Sequence, residues 1–399
     1  MQRHGRLSAS AFKKLKELFH RQRRDADGYC EAPAEFTAGN RLTLLMDGRE
    51  AYPAMLEAIA AARHSIHLET YILRSDRTGR QFGDALAARA SAGVAVRVIY
   101  DAAGSIDAEP SWLQALRNRG IQLLEFRPLG PWHRRWGWGR RDHRKILVVD
   151  GSVAFTGGLN ITDDHADASE GGAGWRDAHV RLEGPAAYEL ERLFRGTWYR
   201  ETGRWFHSVS DLRHAPGTSL VRVVANDELL HRHRIRRAYL HAIGRARTRI
   251  CIANAYFIPD RGIRKALYRA RKRGVDVRLL VPSLSDVPAA TYASRMLFGP
   301  HLGNGLRIFA WPGPMMHAKI ATVDGIWSTV GSYNMDHRSW LHNLEANIHA
   351  VDREFSSRLE ASVLADMERS REITRERWAL RPYSERVLER FFYLLRYWL

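Results

Sequence analysis

The chain of 399 residues has only two cysteines, Cys30 and Cys251. Two cannot supply a disulfide framework or a thiolate metal site. Cys251 lies in an apolar run and reads as a core residue, and a cytosolic setting fits this usage best. No apolar run approaches the length of a membrane span, and the basic N-terminus lacks the apolar centre of a secretory signal. The expectation is a protein that is soluble or sits peripherally on a membrane. Acidic residues are also in deficit: 44 Asp+Glu against 62 Lys+Arg leave a net charge of +18. Such a balance calls for an anionic partner, either nucleic acid or an acidic lipid surface, and charge alone does not choose between them.

What the chain does have is one stretch that occurs twice. The first copy is Asp142-His143-Arg144-Lys145-Ile146-Leu147-Val148-Val149-Asp150-Gly151, and the second is His317-Ala318-Lys319-Ile320-Ala321-Thr322-Val323-Asp324-Gly325. Both read His-x-Lys-x4-Asp. A small-residue element follows each: Gly157-Gly158-Leu159-Asn160, then Gly331-Ser332-Tyr333-Asn334. Asp-Gly between β-prone runs signals a hairpin. A two-residue turn pairs Val149 with Ser152, which sets His143 opposite Gly158 and, in the second copy, His317 opposite Ser332. Side chains alternate along a strand, so Asn160 and Asn334 share the face of the His and Lys. Each hairpin then gathers a His, a Lys, an Asn and a small residue at one end, the small residue leaving room for a ligand. One such hairpin alone would read as a strand with surface polar residues. Two copies with matched spacing make that reading a poor one.

Helices and strands alternate around both copies. In the first half, helices are predicted over Asp47–Arg63, Gly79–Ala92 and Ser111–Arg119, with strands over Ser65–Ile72, Val94–Ile99 and Ile121–Phe126. In the second, helices are predicted over Leu230–Arg245, Gly262–Arg273 and Ala289–Phe298, with strands over Arg249–Phe257, Val275–Leu280 and Leu306–Phe309. The pattern implies an α/β sandwich in each half, and the 45% hydrophobic share suffices for two sizeable domains. The predicted division is a basic amphipathic segment (1–40), two domains (41–215 and 216–370, with a break near His214-Ala215-Pro216-Gly217) and an aromatic helical tail (371–399).

Three segments carry alternative readings. Ser8 or Ser10 caps a predicted helix from Ala11 to Arg24, with Phe12, Leu15, Leu18 and Phe19 on one face among Lys13, Lys14 and Lys16; it either packs on a domain or lies on a membrane. Trp132, Trp136 and Trp138 interleave with arginines just before the first motif, suiting a lipid interface, a nucleic-acid base stack or a packed loop. The aromatic C-terminus, Arg390 to Leu399, is either a docked helix or one that dips into a bilayer, docking being the commoner case. The first two helices of the second half are richer in arginine and lysine than their counterparts, which points that half towards the anionic surface.

Two facing His-Lys-Asn clusters can cleave a phosphodiester. One neutral imidazole attacks phosphorus while the other, protonated, gives its proton to the leaving alkoxide. Lys145, Lys319, Asn160 and Asn334 stabilise the non-bridging oxygens, and with lysines supplying the positive field no metal or cofactor is called for. Each His needs a partner on its other ring nitrogen, and Asp177 and Glu345 lie at similar distances beyond the two motifs. Asp150 and Asp324 fall at the turns and read as structural.

The repeated motif resembles that of the phospholipase D superfamily, and within it the chain is most similar to bacterial cardiolipin synthases over about residues 40–350. The similar stretches are Glu69-Thr70-Tyr71-Ile72, His143 to Asn160, Trp175-Arg176-Asp177 with His179 to Pro185, and Tyr256-Phe257-Ile258-Pro259-Asp260. The resemblance implies two pseudo-symmetric phospholipase D-like α/β sandwich domains sharing one active site at their interface. It implies His143, Lys145, Asp150, His317, Lys319 and Asp324 as the catalytic motif, one His acting as nucleophile and the other as acid/base; His143 is preferred as nucleophile, and the symmetry of the repeat leaves the choice open. Gly158, Asn160, Ser332, Asn334, Asp177, Glu345 and Glu69 are implied as supporting or phosphate-binding residues, Glu69 meeting Lys145, Lys319 or the substrate. The implied reaction moves a phosphatidyl group from phosphatidylglycerol, or another phospholipid, through a phosphohistidine to a second phosphatidylglycerol, giving cardiolipin and glycerol. Many cardiolipin synthases begin with two membrane-spanning helices; this chain resembles the shorter class without them. The expected partner is then an anionic phospholipid membrane carrying phosphatidylglycerol and cardiolipin, reached peripherally at the cytoplasmic face of the inner membrane. Nucleic acid is disfavoured and no protein partner is expected. The competing readings are a hydrolytic phospholipase D or a phosphodiesterase nuclease of the same superfamily, and a non-catalytic membrane-binding protein.

Overall fold

The computed structural model describes residues 9–130, 139–209, 215–226 and 233–398, with backbone alone at residues 9–16 and 19. Helix α1 (Ala9–Tyr29) precedes two runs built on one plan. The first run is β1 (Thr37–Met46), α2 (Asp47–Ala61), β2 (Ser65–Thr70), α3 (Arg77–Ser91), β3 (Ala95–Asp101), α4 (Pro110–Asn118) and β4 (Gln122–Phe126). The motif hairpin β5 (Ile146–Val149) and β6 (Val153–Gly157) follows, then β7 (Ala178–Glu183) and α5 (Pro185–Thr202). The second run is β8 (Ser219–Asn226), α6 (Arg234–Arg245), β9 (Arg249–Asn254), α7 (Arg261–Lys272), β10 (Asp276–Pro282), α8 (Pro288–Arg295), α9 (Phe298–Gly303) and β11 (Arg307–Trp311). Its hairpin is β12 (Lys319–Val323) and β13 (Trp327–Gly331), followed by α10 (His337–Leu341), β14 (Glu345–Val351) and α11 (Arg353–Glu368). An edge strand β15 (Arg371–Ile373) and helices α12 (Arg375–Ala379) and α13 (Tyr383–Leu394) come last.

The strands join into one sheet of 15, ordered β15-β11-β10-β9-β12-β13-β14-β8-β1-β7-β6-β5-β2-β3-β4. Outward from the β8–β1 pair both sides run in the same order, so β8 corresponds to β1, β9 to β2, and so on to β14 and β7. β1 and β8 are antiparallel, as a two-fold axis between them requires. Helices cover the outer faces. Tyr52, Ile59, Phe82 and Leu86 pack on Ile66, Leu68 and Val96 in the first half, and Ile235, Tyr239 and Leu267 on Ile250, Ile252 and Val277 in the second. A third core is shared: Ile146, Val148, Val180 and Leu190 meet Cys251, Ile320, Val330, Ile348 and Leu359. The hairpins are therefore buried on both faces, and β5, β13 and, after Lys319, β12 are apolar or small instead of alternating.

Three expectations change. The 40/41 boundary falls inside β1, and the 370/371 boundary places β15 in the tail although it pairs with β11. β1 pairs with β7 and β8, both distant in sequence, so no local hairpin signal announces it. The helix expected over Ala289–Phe298 is two helices, because Pro300 has no N–H to continue the ladder. The last turns of α1 pack on the second half: Ala26 and Tyr29 enter its core and Asp25 meets Arg353 at 2.8 Å. The side chains of Phe12, Lys13, Lys14, Leu15, Lys16 and Phe19 lie outside the described residues, as do Ser8, the Trp-rich loop at 131–138, His214 and Leu230.

Candidate active site

Each motif hairpin turns through an Asp-Gly pair in the left-handed region, with φ 49° and 63° at Asp150 and Gly151 and 56° and 60° at Asp324 and Gly325. The turn closes with Ser152 N–H on Val149 O, but strand pairing resumes at Val149↔Val153. The second hairpin repeats this, with Val323↔Trp327. Each loop thus holds one residue more than a two-residue turn, and the register expected to place His143 opposite Gly158 and His317 opposite Ser332 shifts by one. The tight turn folds each Asp carboxylate back onto the start of the neighbouring strand. Asp150 accepts from the N–H groups of Arg63, His64 and Ser65, each at 2.8 Å. Asp324 accepts from those of Arg247, Thr248 and Arg249 at 2.8 Å and from Tyr29 Oη at 2.8 Å. The motif aspartates, implied as part of the catalytic set, instead lock the hairpin turns to β2 and β9.

The other ends of the hairpins cross over. His143 N–H donates to Leu344 O at 3.0 Å, and His317 N–H to Arg176 O at 2.7 Å. This places the acid following each of those segments against the other half's histidine. His143 Nδ1 lies 3.1 Å from both carboxylate oxygens of Glu345 and 3.1 Å from Ser332 O. His317 Nδ1 lies 2.9 Å from Asp177 Oδ2. Every neighbour of each Nδ1 is an acceptor, so the proton sits there and Nε2 is left for chemistry. Arg176 moors the crossing, with Nη1 2.7 Å from Asp47 and Nε 2.9 Å from Asp366 of α11.

Gly158 and Ser332 do not leave room for a ligand. A Cβ at Gly158 would lie 2.1 Å from Asp177 Oδ1, so the glycine makes space for the acid. Ser332 Oγ donates to Glu345. Lys145 Nζ donates to His143 O at 2.9 Å and Lys319 Nζ to His317 O. Both ammonium groups are buried, and burial with mutual repulsion lowers Lys145 to about 7, while burial lowers Lys319 to about 8. Burial, then the lysines, hold both imidazoles well below their ordinary value. Burial pushes Glu345 up to about 7. The site's own groups are thus short of negative charge, and a phosphodiester anion would supply it. Asn160 and Asn334 line a cavity of about 390 Å³ with His143 and His317. Asn334 Oδ1 has no partner among the described residues.

A family model described as "Cardiolipin synthase, PLD-like domain" matches residues 55–198 and 239–367, one segment in each half. The chain belongs to this family, the PLD-like cardiolipin synthases. It is 35% identical over 350 residues to the cardiolipin synthase of Geobacillus sp. (strain WCH70), covering 87% of this chain and 70% of that protein. It is also 35% identical over 339 residues to cardiolipin synthase A of Pseudomonas entomophila (strain L48), covering 85% of this chain and 71% of that one. The crystal structure of phosphatidylserine synthase from Haemophilus influenzae Rd KW20 superposes with a TM-score of 0.70 at 13% identity, over 96% of this chain and 100% of that chain. At that identity the likeness speaks for the fold.

In this member of the family Glu69 does not meet Lys145 or Lys319. It lies 3.8 Å from Arg144 Nη1 and accepts from Thr197 Oγ1 at 3.4 Å. Burial and the adjacent Glu69 raise the Asp142 carboxyl well above its ordinary value. Sequence reasoning missed His165. Its ring lies 5.1 Å from that of His317 and its Nδ1 3.6 Å from Asp177 Oδ2. His165, Asp177 and His317 have donor atoms within 4.8 Å of one another. In sequence His165 ends a polar Asp163-Asp164-His165 run that reads as a solvated loop, and only its place five residues after Asn160 hints at the site. Tyr71, Trp175, Tyr256 and Asp336 also line the cavity.

Proposed function

We propose that the protein synthesises cardiolipin by phosphatidyl transfer. The observation that carries this is the crossed pair of His–carboxylate relays opening on one cavity, in a chain similar over most of its length to cardiolipin synthases. His143 Nε2 attacks the phosphorus of a phosphatidylglycerol. The P–O bond to the headgroup glycerol breaks, and His317, which takes a second proton on Nε2 when the phosphodiester anion binds, gives that proton to the departing alkoxide, releasing glycerol. His317, now neutral, removes the proton from the headgroup hydroxyl of a second phosphatidylglycerol. That oxygen attacks phosphorus, the P–N bond breaks, and cardiolipin leaves with His143 restored. Lys145, Lys319, Asn160 and Asn334 stabilise the five-coordinate phosphorus.

Glu345 supports His143 as the nucleophile. It accepts the hydrogen bond of the His143 Nδ1 proton and so leaves Nε2 to attack, while burial and the neighbouring lysines hold down the imidazolium form of that ring. The neutral, attacking form of that ring is favoured. We further propose that the enzyme works peripherally at an anionic bilayer, on the cytoplasmic face of the inner membrane. The net charge of +18 and the exposed Lys265, Arg269, Arg271 and Lys272 of α7, with Arg273 just after it, support this. Among the described residues no helix is long and apolar enough to cross a membrane.

The test uses purified protein, vesicles of phosphatidylglycerol labelled in the headgroup, and excess EDTA, with products read by mass spectrometry. Cardiolipin with released glycerol is expected. Phosphatidic acid as the only lipid product would replace synthesis by hydrolysis.

A further inference from the structure

Helix α13 is turned inside out. Its one buried residue is Glu389, fully enclosed and paired with Arg295 at 3.3 Å and Arg381 at 3.1 Å. Glu385 pairs with Arg295 on the same inward face, and Phe392 stacks on Tyr292 of α8 with ring centroids 5.6 Å apart. The outward face is apolar. Leu380 is 84% exposed, Tyr383 76%, Phe391 55%, Leu394 75% and Trp398 73%. From Tyr383 onward, with Val387, these fall at steps of three and four residues, one helical stripe along α13 continued into the turn after it, while Leu380 precedes it at the end of α12. Nine of the sixteen exposed large hydrophobic side chains among the described residues lie between Leu380 and Trp398. A surface helix ordinarily points such a stripe at the core; contiguous exposure on this scale marks a docking surface. The helix is held to the protein by these ion pairs and by Phe392 and Tyr393, which pack on the apolar cluster of Ile258, Ala290, Ala293 and Leu297, leaving the stripe for something else.

Two observations say what covers it. The stripe runs into the catalytic cavity, whose lining includes Trp398 and Val287, and Tyr397 rests on His342 with centroids 5.4 Å apart. Positive charge is also in excess around it: Arg390 is exposed on α13, and Arg375 and Arg377, with Glu376 between them, are exposed on α12 just before it. An apolar stripe with tyrosine and tryptophan, edged by arginine, suits the headgroup boundary of an acidic bilayer. We propose that α13 and the turn after it are the bilayer-docking element, seating the cavity mouth at the headgroup plane so that a diacyl substrate enters from the leaflet with its tails still in lipid. This rests on the lipid-transfer reading above and adds where and how the lipid arrives.

The experiment compares full-length wild type with a Tyr383→Ser/Phe391→Ser/Leu394→Ser variant. Vesicle flotation is run with mixed phosphatidylglycerol/phosphatidylethanolamine and with pure phosphatidylcholine. Turnover is measured on vesicles and on short-chain phosphatidylglycerol below its micelle concentration. The variant should bind acidic vesicles at least tenfold more weakly and lose vesicle turnover in proportion, with turnover of dispersed substrate unchanged. Wild type should bind phosphatidylcholine more weakly than the acidic mixture. A Phe391→Cys protein carrying a polarity-sensitive dye should shift to the blue on acidic vesicles. Unchanged vesicle binding by the variant, or an unshifted dye, would overturn the proposal. So would a wild-type dimer that the variant converts to a monomer with vesicle binding intact, because the stripe would then bind a second copy of the chain. If wild type turns over neither form of phosphatidylglycerol while binding still depends on the stripe, docking stands and the lipid-transfer reading fails.

Discussion

Glu69, Asp142 and Arg144 form a buried polar layer beside His143 and Lys145 in the first half. In the second half, Ala253, Met316 and Ala318 occupy the matching places, since Glu69 pairs with Ile146 as Ala253 pairs with Ile320. All three are buried as well. Two hairpins with the same turn, the same Asp anchor and the same relay geometry thus rest on opposite kinds of packing. An apolar layer is enough to hold His317 and Lys319, so the charges beside His143 are not a requirement of the relay. Arg144 also reaches Glu345 O and Asn226 O in the other half, each at 3.5 Å. The polar layer therefore reads as a tie between the halves, and its cost as a buried ion pair is accepted on one side only.

If the halves are chemically equal partners despite this, each histidine is indispensable. His143→Ala and His317→Ala are each expected to lower transfer by at least ~10³-fold in the vesicle assay, since nucleophile and acid act in series. Substantial activity in either would end the shared-site reading. The roles should nevertheless split. Rapid-quench mass spectrometry of a His317→Gln protein should find a phosphatidyl adduct on His143, and the reciprocal variant should carry none on His317. An adduct on His317 would reverse the assignment.

The crossed pairing can be broken next. Asp177→Asn and Glu345→Gln are each expected to cost on the order of 10²–10⁴ in kcat, because a tautomer-fixing carboxylate is lost. In double-mutant cycles Asp177 should couple strongly to His317 and near zero to His143. Strong coupling of Asp177 to His143, or of Glu345 to His317, would contradict the crossing. Glu345→Gln has a second signature. The folded-state pKa of Glu345, about 7, lies above its ordinary 4.5, so the folded protein holds an extra proton between these values. Its contribution to stability is present below 4.5 and lost as pH rises through 7. The variant should therefore gain melting temperature relative to wild type from pH 5 to pH 8 while remaining inactive. A constant difference across that range would deny the shift.

A smaller effect tests the asymmetric layers themselves. Glu69→Ala removes a carboxylate 3.8 Å from the buried Arg144 guanidinium and the acceptor of Thr197 Oγ1, and should destabilise by ~1–3 kcal/mol. The triple change Glu69→Ala/Asp142→Met/Arg144→Ala copies the second half and should recover most of that loss in chemical denaturation. Failure to recover would show that the tie to Glu345 and Asn226 matters more than the charge balance.

The repeat, the strand–helix alternation and the His, Lys and Asn of the site could be read from the sequence because each is encoded by local spacing. What could not be read depends on pairing across the two-fold. Glu345 and Asp177 stand at the right distances beyond their motifs, but nothing in that spacing says that each serves the histidine of the other half. Gly158 and Ser332 looked like space for substrate, although one makes room for Asp177 and the other donates to Glu345. β1 and β8 carry no turn signal linking them to their partners. His165 joins the site only through tertiary packing.

The smallest expected difference lies at the turns, where the halves are most alike. Both motif aspartates cap three backbone N–H groups, but Asp324 also receives the Thr248 hydroxyl at 2.8 Å and the Tyr29 hydroxyl. Asp150→Asn keeps part of its capping and should cost about 1 kcal/mol, within the range for lost capping interactions. Asp324→Asn should cost somewhat more, because it also loosens the seat of α1 on the second half. Tyr29→Phe isolates that extra contact and should cost about 1 kcal/mol, the usual net value of one hydrogen bond. In the Asp324→Asn background Tyr29→Phe should add little, since the two changes remove one interaction. Neither aspartate should alter the ratio of cardiolipin to phosphatidic acid, because both sit at the far ends of the hairpins from the histidines. A changed product ratio in either variant would return the motif aspartates to the chemistry.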